Sequence, residues 1–257
     1  FVAGLRREHF TVFDNGAPQP IQFFTSEEVP ATVGLLIDSS ASMRASRAAV
    51  AAAAAAFTRS AHPLDELFSV NFNEAVWPGL PGGVRFAATA DQLDRAVAHA
   101  PAYGMTAVYD AVNRGLDYLD LGTRDRKALI LVSDGGDNAS RLSLDAVLDH
   151  ARRDNAVIYT VTIADPDSHE SRPDVLRRFA RATGGASFSP GSPADIVAAF
   201  TRISREIRSG YVIGVTPPQE ADGGFRSIRV VVNSGDGRAL TVRTRAGYYA
   251  ARSGSTR

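Results

Sequence analysis

The chain reads Val-Gly-Leu-Leu-Ile-Asp-Ser-Ser-Ala-Ser at residues 33–42, and this stretch decides the fold. Its first half is an uncharged apolar run, which is typical of a strand buried on both faces of a sheet. Polar residues from Asp38 to Ser42 follow at once, and the alanine-rich segment after them predicts a helix. In open α/β sheets, ligands bind at this edge, where strands end and helices begin. We therefore expect a functional site here.

The middle of the chain alternates between apolar runs and helical patterns. Strands are predicted at 32–38, 67–73, 128–133, 156–164 and near 186–189, and helices at about 45–60, 90–99, 107–119, 143–154, 173–183 and 193–208. Helices between strands of this kind imply a parallel sheet that is covered on both faces. The predicted fold class is therefore α/β, with three layers and a doubly wound, mostly parallel sheet.

Both ends of the chain carry short segments of alternating apolar and polar residues, which predict strands. These segments lie at 10–13, 19–24, 211–215, 225–232 and 240–244, with turn signals at 14–16 and 234–237. We infer that the two ends pair to form a small β module beside the α/β domain. The predicted organisation is an N-terminal β segment at 1–30, the α/β domain at 31–208, a C-terminal β segment at 209–250 and a tail at 251–257.

Composition excludes several classes of function. The 257 residues include 28 basic and 28 acidic side chains, so the net charge is zero, which argues against a nucleic-acid partner or an anionic membrane surface. There is no cysteine, so disulfides and thiolate chemistry are excluded. No apolar run approaches the roughly 20 residues needed to span a bilayer, and we predict no membrane span. Hydrophobic residues make up 44% of the chain, enough for a sizeable core.

Oxygen-bearing side chains follow the predicted strands in separate loops. Asp38, Ser40 and Ser42 are spaced by two residues, so a tight loop can turn all three toward one point. Asp134 follows the second long apolar run, and Thr106 lies just before a predicted helix. Helix capping and an Asp-Gly turn would explain each feature taken alone. Taken together, the three loops favour a shared site for a hard divalent cation, which prefers oxygen ligands.

This pattern resembles a known family of domains. Asp38-x-Ser40-x-Ser42, Thr106 and Asp134 are similar in order and strand context to the metal-ion-dependent adhesion site of von Willebrand factor A domains. The resemblance covers about residues 30–208. The flanks resemble, more loosely, a bacterial subgroup in which segments like 10–16, 210–214 and 245–249 surround the A domain.

The resemblance implies a function and a set of site residues. Ser40, Ser42 and Thr106 would offer hydroxyl oxygens to Mg²⁺, or to Ca²⁺ or Mn²⁺, while Asp38 and Asp134 would bind directly or through water. An Asp or Glu of a partner protein would complete the coordination. The family also implies an extracytoplasmic location. Residues expected to orient these ligands or to face the partner are Gly104, Met105, Asp110, Asp137, Asn138 and Arg44.

Two alternatives stay open beside metal-dependent protein binding. The domain could be a structural scaffold whose metal site is unused. It could also be a metal-dependent phosphoryl-transfer enzyme, since an Asp at a strand end can accept a phosphoryl group. Such an enzyme needs a lysine near the phosphate, and Lys127, the sole lysine, is expected at the opposite edge of the sheet. We therefore expect binding without catalysis.

Overall fold

Twelve strands and six α-helices are assigned in the computed structural model, which describes residues 2–98, 100–154, 156–163, 171–217, 222–233 and 240–250. The strands are β1 (Phe10–Asp14), β2 (Ala17–Gln19), β3 (Ile21–Thr25), β4 (Ala31–Asp38), β5 (Glu66–Phe72), β6 (Val76–Pro78), β7 (Arg126–Ser133), β8 (Ala156–Thr162), β9 (Ser187–Phe188), β10 (Val212–Val215), β11 (Phe225–Val232) and β12 (Gly247–Tyr249). The helices are α1 (Arg47–Arg59), α2 (Ala90–Ala98), α3 (Val108–Leu119), α4 (Leu144–Arg153), α5 (Pro173–Thr183) and α6 (Pro193–Arg208).

The central sheet has the strand order β6-β5-β4-β7-β8-β9 and is parallel except for the short edge strand β6. All eight residues of β4 are buried, because it lies inside the sheet under helices. One group of helices, α1, α2 and α6, makes mutual contacts through α1, and α4 contacts both α3 and α5 in a second group. The predicted fold class is confirmed, and none of the described helices has the length and apolar character of a membrane span.

The register of the parallel strands brings the predicted site loops to one edge. Asp38 lies beside Phe72 of β5, and Ile37 lies beside Val132 of β7. Strands β4, β5 and β7 therefore end together, and the loops that follow them share the carboxyl edge of the sheet. This is the edge at which an α/β sheet binds ligands.

The strands near the two chain ends pair with one another. β1 lies between β11 and β2 in one antiparallel sheet, β12 extends that sheet beyond β11, and β3 pairs with β10 in a second. A partly buried hydrogen bond links β12 to β1 across the first sheet, where the Tyr248 hydroxyl donates to Asp14 Oδ2 at 2.5 Å. Phe10, Phe24 and Tyr211 pack as an aromatic cluster between the two sheets.

The predicted strand at 240–244 is wrong, since this segment has no regular structure. Arg243 of this segment pairs instead with Glu206 of α6 at 2.6 Å, and Arg245, which follows the segment, donates to the Arg152 carbonyl at 2.9 Å. Pairing with β11 is made by β12, a few residues later. Alternation alone could not foresee these long-range contacts. The predicted turn at 234–237 and the tail at 251–257 lie outside the described residues.

The predicted strand at 19–24 is two strands in two different sheets, β2 and β3. Pro20 lies between them, and its lack of an N–H favours a break in the pairing. Strand β6 was not predicted, because its three residues precede Gly79 and are too short to show a pattern.

Candidate metal centre

Asp38 ends β4 and lies at the base of the site, buried beneath the loop that follows it. The Ser40 amide donates to its Oδ1 at 2.8 Å, and the Ser133 hydroxyl donates to its Oδ2 at 2.6 Å. Burial raises the pKa of Asp38 to about 6, against the opposing hydrogen bonds from Ser133 and Ser40. A cation above the carboxylate would favour its charged form.

Ser40 and Ser42 lie above Asp38, with their hydroxyl oxygens 3.2 Å apart. Two adjacent ligands of an octahedral Mg²⁺, each at about 2.1 Å, would lie about 3 Å from one another. Ser40 opens the 3₁₀ turn at Ala41–Ser46 without making a side-chain cap, and Ser46 does not cap α1. Helix capping therefore does not account for these serines.

Thr106 is buried in the loop that leads into α3. The backbone of this loop is hydrogen-bonded to the loop that follows β4. The Ala41 amide donates to the Gly104 carbonyl at 3.2 Å. Gly104 has a φ of 78°, and a Cβ there would collide with the Glu74 carboxylate. That carboxylate accepts from the Met105 amide at 2.9 Å, so the loop is fixed from two sides.

Asp134 follows β7 and is buried at the third side of the site. Its Oδ1 accepts from the Gly136 amide at 2.9 Å, and its carbonyl accepts from the Arg172 amide at 3.1 Å. Gly135 has a φ of 86°, and a Cβ there would meet the Arg172 carbonyl. The loop is thus held tightly against the start of α5.

A cavity of about 250 Å³ joins the three loops, and four of the five predicted ligands line it. Asp38 lies below it, hydrogen-bonded to Ser40. The lining consists of Ser40, Ala41, Ser42, Gly104, Met105, Thr106, Asp134, Gly136 and Asn138. The donor set is hydroxyl-rich, and within the described residues no group of three or more His, Cys, Asp or Glu is arranged to hold a metal. Hydroxyls with two carboxylates fit a hard cation such as Mg²⁺.

Comparison with known proteins identifies the fold. No protein-family model and no curated protein matches the sequence. Among solved structures, a von Willebrand factor type A protein from Catenulispora acidiphila matches with a TM-score of 0.63 at 19% identity, over 77% of this chain and 50% of that one. The chain has the von Willebrand factor A fold.

Two further structures with this fold come from pili. The von Willebrand factor domain of the type V pili tip protein Mfa5 from Porphyromonas gingivalis matches with a TM-score of 0.58 at 14% identity, over 70% of this chain and 95% of that one. The pilus adhesin SpaC from Lactobacillus rhamnosus GG matches with a TM-score of 0.55 at 14% identity, over 70% of this chain and 31% of that one. The present chain thus spans about half the length of the Catenulispora protein and less of SpaC.

The other residues predicted at the site make different contacts. Asn138 lines the cavity, and its side chain accepts from the Thr106 amide. Asp137 accepts from the Tyr109 amide at 3.0 Å in the first turn of α3. Arg44 is exposed and donates to the Ala102 carbonyl at 3.3 Å.

Asp110 fastens a loop. Its carboxylate accepts from the amides of Arg141 and Leu142, so it ties the segment after Asp134 to α3. Sequence reasoning missed Ser133 and Glu74, which hold Asp38 and Met105. Ser133 stands directly between the apolar run and Asp134, and its hydroxyl at a strand end was the available signal. The signal for Glu74 was weaker, because it depends on a contact 31 residues along the chain.

Proposed function

We propose that this chain is a divalent-cation-dependent binding module that captures an acidic group of a partner protein. Ser40, Ser42 and Thr106 would hold the cation through their hydroxyls, and Asp38 and Asp134 through their carboxylates. The bound cation would supply an electrophilic position for a carboxylate from outside. The single observation that carries this proposal is the pair of serine hydroxyls 3.2 Å apart over a buried aspartate, in a cavity shared with Thr106 and Asp134.

The charges of the donor set favour capture of an anion. Three neutral hydroxyls and two carboxylates leave the cation short of ligands, and Mg²⁺ in particular keeps several waters in such sites. A carboxylate of a partner can replace one of those waters. Mg²⁺ is the proposed ion, with Ca²⁺ and Mn²⁺ as alternatives of similar ligand preference.

The surroundings of the cavity favour a protein as the partner. Met105 lines the cavity and is 52% exposed, and Tyr103 is 51% exposed two residues earlier. Large apolar side chains beside a polar cavity are typical of protein-binding surfaces, where aromatic residues and methionine are enriched. Arg44 adds an exposed positive charge near Ala102. These features support a protein segment that carries an acidic side chain.

The related folds support an adhesive role outside the cytoplasm. Mfa5 is a pilus tip protein and SpaC is a pilus adhesin. We extend adhesion and an extracytoplasmic location to this chain as part of the proposal. We propose no catalysis, because Lys127 lies near the start of β7 and its Nζ bonds to Asp120, at the edge opposite the cavity.

A structural scaffold is the second candidate function. It is favoured by the small number of carboxylates at the cavity, since the described residues contain no cluster of three or more His, Cys, Asp or Glu suited to a metal. A scaffold would use the outer faces of the fold and would not need a cation.

The deciding experiment measures cation binding directly. Isothermal titration of the full chain with MnCl₂ should reveal one site, and Thr106→Val should weaken it. A peptide containing one Glu should then bind in MgCl₂ but not in EDTA, whereas the Gln form should not bind. Absence of Mn²⁺ binding would favour the scaffold, and metal-dependent hydrolysis of p-nitrophenyl phosphate would favour the enzyme.

A further inference from the structure

The loop that follows Asp134 is hydrogen-bonded to the start of α3, across the cavity. The first turn of α3 has no cap of its own, because Ala107 stands at the N-cap position and makes no side-chain hydrogen bond. The open amides are satisfied from a different loop, which starts at Asp134. The Ser140 hydroxyl accepts from the Tyr109 amide at 3.1 Å and from the Asp110 amide at 3.2 Å.

The same loop also holds Thr106. Asn138 Oδ1 accepts from the Thr106 amide at 2.8 Å, and the Asn138 amide donates to the Thr106 carbonyl at 3.0 Å. The Ala139 amide donates to that carbonyl at 3.1 Å. Both backbone polar groups of Thr106 are therefore bonded to one residue of the Asp134 loop.

The other end of this loop is fixed as well. The Asp134 carbonyl accepts from the Arg172 amide at 3.1 Å and from the Ser171 hydroxyl at 3.0 Å. Asn138 thus connects two candidate metal ligands from different loops, Asp134 after β7 and Thr106 before α3. Their separation is set by five residues of a loop that is held at both ends.

From this geometry we infer that Asn138 is a positioning residue, which sets where the Thr106 hydroxyl lies relative to Asp134. This inference rests on the proposed function, because the two donors matter together only if they share a cation. Residues that orient metal ligands typically affect metal affinity by about 10- to 100-fold. Asn138 acts through hydrogen bonds to the Thr106 backbone and not as a ligand itself.

The test compares Mn²⁺ affinity in four variants of the full chain. Asn138→Ala should weaken binding by about 10- to 100-fold. In a Thr106→Val background, which already lacks the hydroxyl, Asn138→Ala should cause no further loss. The matched control is Ser140→Ala, which removes one of the two side chains that cap α3 but leaves the Thr106 contacts, and it should lower the melting temperature without changing the affinity.

Each outcome decides between the two proposals. If the parent chain does not bind Mn²⁺, the proposed function fails and this inference fails with it. If the parent binds Mn²⁺ and Asn138→Ala binds equally well, only the inference is overturned. Equal losses in Asn138→Ala and Ser140→Ala, or a further loss in the Thr106→Val background, would also overturn it, because Asn138 would then act through general stability or through another group.

Discussion

Asp38 and Glu66 are carboxylates at opposite edges of the same sheet, on the neighbouring strands β4 and β5. Glu66 Oε2 accepts from the Thr32 hydroxyl at 2.7 Å and the Thr123 amide at 2.8 Å, and its Oε1 accepts from the Thr123 hydroxyl at 2.6 Å. Arg124 lies 3.9 Å away. Burial acts to raise the pKa of Glu66, but these hydrogen bonds and the arginine outweigh it, and the pKa is lowered.

Asp38 has the opposite balance. Burial dominates, and its pKa is raised to about 6 despite the donors Ser133 and Ser40. The protein therefore satisfies the charge of one carboxylate internally and leaves the charge of the other poorly compensated. Such an imbalance beside a cavity is typical of functional sites, where an external charge completes the balance. The difference supports the proposal that one edge of this sheet serves stability and the other serves binding.

The largest expected effect is a difference in metal affinity between a variant at the cavity edge and a variant at the opposite edge. Asp134→Ala removes a carboxylate from the cavity and should weaken Mn²⁺ binding by more than about 100-fold, beyond the range for residues that only orient ligands. Glu66→Gln removes a carboxylate from the other edge and should leave the affinity unchanged. Titration calorimetry measures both. Equal affinity in the parent and in Asp134→Ala would contradict the assignment of the binding edge.

The second effect concerns Asp14, another buried carboxylate, whose Oδ2 accepts from the Tyr248 hydroxyl in the terminal sheet. Burial and Asp14 raise the pKa of Tyr248 to about 12, so its hydroxyl stays protonated and donates at neutral pH. Tyr248→Phe removes this donor and should lower the free energy of unfolding by about 2 kcal/mol. Urea unfolding measures it, with Mn²⁺ affinity expected to stay constant.

Tyr249→Phe is the matched control for this variant. The Tyr249 hydroxyl donates to Asp149 at 3.1 Å, but the Asp149 side chain is 45% exposed. Water can replace the lost donor there, so the loss should stay below about 0.5 kcal/mol. If the two variants lose the same stability, the burial of Asp14 does not strengthen its hydrogen bond to Tyr248.

Sequence patterns predicted the strands of the binding edge because their physics is local. The apolar runs that became β4 and β7 are buried on both faces, and parallel strands must end at a common edge. Asp38 and Asp134 could therefore be placed together before any contact was known. Burial and chain direction were sufficient for this step.

The contacts that distinguish the two edges could not be predicted in this way. Thr123 reaches Glu66 across 57 residues, and Ser133 reaches Asp38 across 95. Neither contact follows from periodicity, because each depends on where residues distant in sequence lie in the folded chain. For the same reason the segment at 240–244 was predicted as a strand, although its Arg243 pairs with Glu206 of α6.

The third effect concerns the edge that contains Glu66, and it is seen in how the free energy of unfolding depends on pH. The folded pKa of Glu66 lies below its unfolded value of about 4.3, so its charged form contributes stability above that pH. This contribution is lost as pH falls through the folded pKa. Glu66→Gln should cost about 1 kcal/mol at pH 7 and should show a smaller further loss than the parent between pH 6 and pH 3. Urea unfolding across this range measures both slopes, and parallel slopes would contradict the role of the charge.

The smallest effect is expected at Asp120, which lies at the same edge of the sheet as Glu66 but is 62% exposed at its side chain. It accepts from Lys127 Nζ at 3.1 Å, and it also follows the last turn of α3, where a negative charge opposes the helix dipole. Because the exposed ion pair and the unfavourable dipole contribution nearly cancel, Asp120→Asn should change the free energy of unfolding by less than about 0.5 kcal/mol. Urea unfolding measures this change. A loss above about 1 kcal/mol would mean that a carboxylate at this edge stabilises the fold even without burial and complete hydrogen bonding.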